Sequence, residues 1–253
     1  MRYAFAGDRD ISVNVLSYLI QNGYKPSALL VTEKEKASHA NELIELANIE
    51  TQLIFHGKDF EDQKSQTVLK DLQLDYIIGI HFPYLISNAI LLIPKIGFLN
   101  LHPAYLPFNK GWHTPSWAII ENTPYGATLH FMSEQLDNGD IIHQKICSVT
   151  PCDTANTLYQ KVKEIELEVF KESLPWLASL NPPRSKQEAK GTSHLKKDIK
   201  KVQVLNPAEV SEIKDIINKL RGLTTNRLDE AAYFIENGKK YFVQVKITQD
   251  QVK

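Results

Sequence analysis

An amide and an imidazole lie two residues apart at the end of an apolar segment, in Asn100-Leu101-His102-Pro103. Side chains alternate along a β-strand, so Asn100 and His102 are expected to share one face. The amide N–H can donate to a developing oxyanion, and the imidazole can accept a proton near neutral pH. The pair suits acyl transfer. Taken alone, the pair favours the commoner structural alternative, in which the asparagine bonds a neighbouring loop and the histidine is a satisfied core residue.

Two carboxylates follow three residues apart in a short polar segment, Leu136-Asp137-Asn138-Gly139-Asp140. Either carboxylate could orient His102, fix its tautomer and favour its protonated form. The alternative is a solvated turn, because Asp, Asn and Gly are common turn residues. The two segments together are more informative than either one.

The first hundred residues alternate apolar runs with helical patterns, which predicts the scaffold for these groups. Strands alternating with helices favour an α/β fold, a Rossmann-like doubly wound and mostly parallel sheet with helices on both faces. Such sheets bind ligands beyond the carboxyl ends of their strands. The predicted strands are Arg2–Ala6, Leu29–Thr32, Gln52–Phe55, Tyr76–Ile80 and Gly97–Leu101, and the helices are Ile11–Gln21, Asn41–Ala47 and Lys64–Leu72.

The pattern changes after the apolar segment that contains Asn100. A short helix, two strands and a long helix are predicted, and Pro175 is expected to kink or end the long helix. Asp153 is its candidate cap. These elements are Ser116–Glu121, Gly126–Phe131, Ile141–Val149 and a helix from about Ala155.

A polar, proline-rich stretch at residues 181–186 predicts a domain boundary. Residues 1–180 are expected to form a catalytic domain, and residues 181–253 a small appendage with a helix from Pro207 to about Leu220 and a β-hairpin. Asn237-Gly238 between alternating apolar residues is the signal for that hairpin.

Composition excludes several classes of protein. The chain has 253 residues, a net charge of -1, 43% hydrophobic and 23% charged residues, as in ordinary globular proteins. It has no apolar run long enough to span a bilayer and no signal-peptide core, so a cytoplasmic protein without membrane contact is expected. Cys147 and Cys152 are expected to be reduced thiols, and neither a metal site nor a dinucleotide or ATP loop is predicted.

The two polar segments, taken in order, are similar to motifs of the folate-dependent formyltransferases. That family carries Asn-x-His-Pro after a strand and Leu-Asp-x-Gly some thirty-odd residues later, as here at Asn100 and Leu136. The resemblance covers roughly residues 1–180. Further matching positions are Leu106-Pro107, Gly111, Trp117-Ala118-Ile119 and Gly126-Ala127-Thr128-Leu129-His130.

The resemblance implies a reaction and a set of residues. Asn100, His102 and Asp137 would be catalytic, with Asp140 the secondary choice of carboxylate. The donor would be 10-formyltetrahydrofolate, the acceptor a primary amine, and no metal would be needed. The turn His81–Ile86 would line the folate pocket, and backbone near Glu134 to Asp140 would read the pteridine, although His81 could simply cap its turn. The implied folate-binding residues are His81, Phe82, Tyr84, Leu85, Ile86, Glu134, Leu136 and Asp140.

The tail separates the subfamilies by acceptor. Compact enzymes that formylate nucleotide-linked amino sugars are similar to this chain over its whole length. They serve the synthesis of bacterial surface glycans such as the O-antigen of lipopolysaccharide. The resemblance to them implies a homodimer formed through the hairpin. A dTDP-linked amino-dideoxyhexose is the expected acceptor, with the 4-amino sugar favoured over the 3-amino sugar. Residues 181–253 hold 15 basic and 9 acidic residues, a net charge of +6, so an initiator methionyl-tRNA formyltransferase is the alternative, although no nucleic-acid partner is expected. A non-catalytic ligand-binding paralogue also stays open.

Acceptor-contacting residues are predicted from charge, shape and the same resemblance. Arg9 and Lys110 are candidates for the diphosphate, and Tyr105 and Trp112 for stacking on the nucleobase. Solvated surface charge and aromatic residues at the core edge are the alternatives. Asn109 and His113 complete the stretch that is similar to the acceptor loop of the sugar enzymes.

Overall fold

A seven-stranded sheet organises the fold. The computed structural model describes residues 1–187, 190–206 and 212–249. The strands up to the eighth are β1 Tyr3–Gly7, β2 Ala28–Val31, β3 Ile54–His56, β4 Tyr76–Ile80, β5 Gly97–His102, β6 Lys110–Gly111, β7 Gly126–Phe131 and β8 Ile141–Ile146; all but β6 belong to this sheet.

The strand order is β3-β2-β1-β4-β5-β7-β8. Neighbouring pairs from β3 through β5 are parallel, and β5 pairs with β7 in antiparallel fashion. The chain first builds outward from β1 to β3 and then resumes on the other side of β1 with β4 and β5. This reversal confirms the doubly wound, Rossmann-like α/β prediction and creates a switch point beside β1.

Six helices accompany these strands: α1 Asp10–Gln21, α2 Ala40–Ala47, α3 Gln63–Asp71, α4 Asn88–Leu91, α5 Thr114–Ile120 and α6 Ala155–Ala178. In α1 the buried side chains Ile11, Val15 and Leu19 recur at helical spacing and cover the sheet. Strands β1, β2 and β4 are buried along their whole length, as expected for parallel strands covered on both faces.

Three boundaries differ from prediction. Helix α6 continues through Pro175 to Ala178, because a proline late in a helix removes one backbone hydrogen bond while packing of the apolar face is retained. Strand β8 ends at Ile146 instead of Val149, and Thr51–Leu53 form a short 3-10 turn before β3 begins at Ile54. All three lie at element ends, where local propensity is weakest.

The chain divides into two compact units that alternate along the sequence. The first comprises residues 1–102, 128–144 and 166–187, and the second comprises residues 103–127, 145–165 and 188–253. The predicted domain boundary at residue 180 stays a prediction.

The helices and strands after residue 188 belong to the second unit. These are β9 Ser193–His194, α7 Ile199–Val202, α8 Ile213–Gly222 and the hairpin strands β10 Ala232–Glu236 and β11 Lys239–Val243. The hairpin lies where it was predicted, and Asn237 and Gly238 both have positive φ, at 50° and 74°, as a two-residue type I′ turn requires. Pro207, where the helix was predicted to start, lies outside the described residues.

Arg221 ties the tail helix to a neighbouring loop of the second unit. Its Nε donates to the carbonyl of Asp153 at 2.8 Å, and its Nη2 donates to the carbonyl of Thr150 at 2.6 Å. Burial lowers the pKa of this guanidinium. Burial also disfavours the charged form of Asp153, but hydrogen bonds from Lys161 and Thr150 outweigh it, so the pKa of Asp153 lies below its usual value.

We expect Arg221→Ala to lower the free energy of unfolding by about 2–5 kcal/mol, because a buried and a part-buried carbonyl lose a charged donor. Urea denaturation measures the loss. The matched control is Lys201→Ala, which removes a cation paired with Asp198 at the surface and should cost under about 1 kcal/mol. Equal effects of the two variants would show that Arg221 is not an anchor.

Candidate active site

Asn100 and His102 lie at the carboxyl end of β5, as predicted, and belong to the first unit. Their alternation places both on one face of the strand. Antiparallel pairing sets Asn100 opposite His130 and His102 opposite Thr128 on β7. His102 is buried and Asn100 half-buried, so both polar groups sit where hydrogen bonds are strong and unmet ones costly.

Asp137 lies in the loop between β7 and β8, and its carboxylate contacts both Asn100 and His102. Its Oδ2 lies 3.5 Å from His102 Nε2, and its Oδ1 accepts a hydrogen bond from Asn100 Nδ2 at 3.3 Å. The other carboxylate, Asp140, has its Oδ2 4.0 Å from Arg184 Nη1. Of the two carboxylates in the loop, Asp137 therefore contacts the histidine.

The loop reaches this position through two special backbone conformations. Asp137 has φ of 46°, in the left-handed region that Asp and Asn tolerate better than other non-glycine residues. A Cβ on Gly139 would lie 1.8 Å from the carbonyl oxygen of Phe131, so only glycine fits beside that strand. The Leu-Asp-Asn-Gly sequence is thus what this close turn requires.

His130 is a fourth member of the cluster. Its Nε2 lies 3.3 Å from Asn100 Nδ2 and 3.7 Å from Asp137 Oδ1, and its Nδ1 lies 2.7 Å from the carbonyl of Phe131. An N–H on Nδ1 would donate to that carbonyl, which leaves Nε2 as the acceptor for the Asn100 amide. Sequence analysis quoted His130 only within a motif; antiparallel register with Asn100 is the signal that marks it.

Gln187 fixes the backbone of the Asp137 loop. Its Nε2 donates to the carbonyl oxygens of Asp137 at 2.9 Å and Gly139 at 2.8 Å. One side chain thus bridges both sides of the turn and holds the carboxylate of Asp137 toward β5. Sequence analysis missed it, since a glutamine in a polar linker carries no local signal.

Gln187→Ala should lower the turnover number about 10-fold, because a loop that loses two hydrogen bonds, worth about 1–3 kcal/mol together, samples other positions. The donor KM should change less than the turnover number. Steady-state kinetics with Gln187→Glu as a second variant checks this, since a carboxylate cannot donate to the two carbonyls. Wild-type turnover in both variants would exclude the clamp.

The predicted folate-side turn after β4 splits into packed and exposed residues. Phe82 and Tyr84 pack with Phe60, at ring separations of 5.6 and 6.3 Å, and Ile86 joins the same cluster. The Tyr84 hydroxyl accepts a hydrogen bond from the backbone N–H of Glu33. Leu85 is 84% exposed, so its apolar side chain is available to a ligand.

His81, at the start of the same turn, pairs with a buried carboxylate. Its Nε2 lies 2.7 Å from Oε1 of Glu166, which comes from α6 and is fully buried. His81 also has φ of 50°. This pairing gives His81 a structural partner and leaves its folate contact a prediction.

The two predicted folate segments are joined by side chains. Asn88 donates to Glu134 and so links the turn after β4 with the loop that carries Asp137. In that loop Leu136 is 41% exposed. The two linked segments therefore each present one exposed leucine to solvent.

The predicted acceptor residues other than Arg9 lie in the second unit. Asn109 is buried and its side chain is engaged, donating to the carbonyl of Pro124 and accepting from Thr123 Oγ1. Its role in this structure is to hold the loop. Lys110 lies in β6, and Tyr105 is half-buried.

Trp112 and His113 follow Lys110 and Gly111 in the chain. Trp112 is 42% exposed, with Lys196 Nζ 4.9 Å from its ring centroid. His113 Nδ1 lies 3.6 Å from Glu230. Arg9, in the first unit, is half-exposed, with Nε 4.0 Å from Asp8 Oδ2. A ligand role for these residues stays a prediction.

Among residues 1–187, 190–206 and 212–249, no three His, Cys, Asp or Glu side chains are grouped to hold a metal ion. Within the same ranges, no helix combines the length and apolar character needed to cross a bilayer.

Known protein families match the sequence of this chain. Residues 1–174 match the formyl transferase family, and residues 198–249 match the N-formyltransferase dimerization C-terminal domain. A dTDP-4-amino-4,6-dideoxyglucose formyltransferase of Mycobacterium tuberculosis is 29% identical over 70% of this chain and 75% of its own length. A methionyl-tRNA formyltransferase of a Geobacillus species is 30% identical over 88% of this chain and 71% of its own length.

Solved structures share the fold. A sugar N-formyltransferase from a Shewanella species superposes with a TM-score of 0.84 at 21% identity, covering 99% of both chains. A sugar 3-N-formyltransferase solved with dTDP and 5-N-formyl-THF has a TM-score of 0.73 at 21% identity, covering 95% of this chain and 84% of its own. The family match over residues 1–174 and the motif residues gathered around His102 lead to one conclusion: the chain belongs to the formyl transferase family.

Proposed function

We propose that the protein transfers the formyl group of 10-formyltetrahydrofolate to the primary amine of a dTDP-linked amino-dideoxyhexose. The observation that carries the transfer chemistry is the cluster of Asn100, His102 and Asp137, in which one carboxylate contacts both the amide and the imidazole. Acyl transfer needs an oxyanion donor and an oriented base, and this cluster offers both.

In the proposed reaction the substrate amine attacks the formyl carbon. A C–N bond forms as neutral His102 accepts a proton from the amine, and the carbonyl electron pair moves to oxygen. The imidazolium so formed stabilises the charge together with the Asn100 amide, which exchanges one of its hydrogen bonds within the cluster for one to the formyl oxygen. When the carbonyl re-forms, the bond to the folate nitrogen breaks. His102, oriented by Asp137, relays the proton lost by the amine to that leaving nitrogen.

The donor would lie against the two segments joined by Asn88 and Glu134. Exposed Leu85 and Leu136 offer apolar surface for a flat ring system, and the polar backbone from Glu134 to Asp140 offers hydrogen bonds. The residues present therefore fit a folate, whose formyl group would be held beside β5. A related sugar enzyme solved with 5-N-formyl-THF supports this assignment.

The sugar acceptor is favoured by the tail. Residues 198–249 match a C-terminal domain described for N-formyltransferase dimerization, which also supports a homodimer formed through the β10–β11 hairpin. The 4-amino sugar is favoured over the 3-amino sugar because the Mycobacterium relative is named for a 4-amino substrate. The methionyl-tRNA relative, matched over 88% of this chain, keeps initiator tRNA as the second candidate.

A mass assay tests the proposal. The protein is incubated with 10-formyltetrahydrofolate and, separately, dTDP-linked 4-amino- and 3-amino-dideoxyhexoses, a UDP-linked amino sugar, glycinamide ribonucleotide or charged initiator tRNA. A formyl adduct on the dTDP-4-amino sugar is expected. An adduct on tRNA alone would overturn the sugar assignment. Absence of folate turnover with every acceptor would favour the non-catalytic paralogue.

A further inference from the structure

A cleft lies beyond the carboxyl ends of β2 and β3, within the first unit. Its volume is about 410 Å³, and its lining includes Thr32, Lys34, Ser38, His39, Asn41 and His56. Thr32 directly follows β2, and His56 ends β3. The cleft is thus at the sheet edge where doubly wound proteins bind ligands, and its size is that of a small-molecule site.

Thr32 gives this cleft an unfilled hydrogen-bonding position. The residue is only 2% exposed, and its hydroxyl has no hydrogen-bond partner among the described residues. A buried hydroxyl without a partner costs free energy, so it marks either strain or a place for a ligand. Because Thr32 lines the cleft, a small shift of its buried side chain would let the hydroxyl bond a sugar hydroxyl or a base carbonyl.

The start of α2 is held in place beside this position. Asp8, buried after β1, accepts a hydrogen bond from the backbone N–H of Ser38, and the Ser38 hydroxyl donates to the carbonyl of Asp8. The loop that carries Lys34 is therefore fixed to the β1 end of the sheet. Arg9, the residue after Asp8, adds a half-exposed guanidinium at the same end.

Lys34 gives the cleft, whose lining also includes Glu42, a cation that suits a phosphate. Lys34 forms no ion pair within residues 1–187, 190–206 and 212–249, unlike its neighbour Lys36, which pairs with Glu33 at 2.7 Å. His39 and His56 line the same cleft. A lysine and a hydroxyl without a partner that line one cleft can recognise the phosphate and the sugar of one ligand.

We propose that this cleft binds the nucleoside diphosphate end of the acceptor, with Thr32 bonded to the nucleoside and Lys34 and Arg9 facing the phosphates. This rests on the proposed function for the identity of the nucleotide, dTDP. It places the nucleoside in the first unit and gives it contacts other than stacking on Trp112 or Tyr105.

The deciding variant is Thr32→Val, which has the same shape but lacks the hydroxyl. Because that hydroxyl has no partner in the described part of the chain, its removal should keep or raise the thermal unfolding midpoint. The dTDP affinity, measured by calorimetric titration, should fall roughly 2- to 10-fold, the value of one hydrogen bond. Thr32→Ser should restore it, and Thr67→Val, on α3 and outside the cleft, should bind as the wild type does.

Lys34→Ala tests the phosphate end. It should weaken dTDP and dTMP binding while leaving thymidine binding unchanged, and the loss should shrink at high salt. Unchanged dTDP affinity in both Thr32→Val and Lys34→Ala, or a loss only in Trp112→Ala, would overturn the proposal. No dTDP binding by the wild type would overturn it too.

The same variants separate this proposal from the proposed function. Formyl transfer to a dTDP-amino sugar with unchanged KM in both cleft variants would keep the function and remove the cleft from it. Thr32-dependent dTDP binding without any formyl transfer would keep the cleft and remove the function.

Discussion

His102→Ala is expected to lower the turnover number for formyl transfer about 10²–10⁴-fold, the range for loss of a general acid–base group. Its imidazole is the group beside Asp137 that can move a proton between the acceptor amine and the leaving nitrogen. Asn100→Ala should cost about 10²–10³-fold, as for loss of one oxyanion donor. Both losses should appear in the turnover number with the acceptor KM little changed.

The control for this experiment is a histidine of the same unit with an equally clear partner. His143 lies on β8 with its Nε2 2.7 Å from Glu172, at the surface. His143→Ala should keep turnover within about twofold, since surface substitutions away from a site have small effects. Wild-type turnover in His102→Ala would remove the imidazole from the mechanism, and single-turnover measurements would locate any remaining change in binding or release.

Much of the scaffold follows from local sequence. Apolar runs such as Tyr76–Ile80 are buried on both faces in a parallel sheet, so a continuous apolar segment predicts them. Asn237-Gly238 predicts its turn because few residues adopt positive φ twice in succession. Local sequence was least informative at element ends: α6 does not end at Pro175, because its packed face outweighs one missing hydrogen bond.

The site is predictable only where its residues lie on one strand or in one turn. Asn100 and His102 share a strand face, and Asp137 lies in a glycine-containing turn, so type and spacing reveal them. His130 joins the cluster through antiparallel register with Asn100, and Gln187 through contact with a loop some 50 residues distant in sequence. Those contacts depend on tertiary structure, which no local pattern encodes.

The two carboxylates of the Asp137 loop provide the sharpest test of the site. Asp137→Asn keeps the side-chain shape and the left-handed backbone, which Asn tolerates as well as Asp. It removes the negative charge beside His102, and an amide in place of the carboxylate could hold the wrong histidine tautomer. A comparable change in a Ser-His-Asp site costs ~10⁴-fold; here a loss of about 10²–10⁴-fold in turnover is expected.

Asp140→Asn is the matched control, because it changes the same atoms three residues away in the same loop. Asp140 is a half-buried partner of Arg184 at 4.0 Å, and an ion pair at that distance contributes little. Turnover within about threefold of wild type is expected, with an unchanged thermal midpoint in both variants. The carboxylate that orients His102 must be the one whose charge the reaction requires. A larger loss of turnover in Asp140→Asn than in Asp137→Asn would therefore assign that role to Asp140 instead of Asp137.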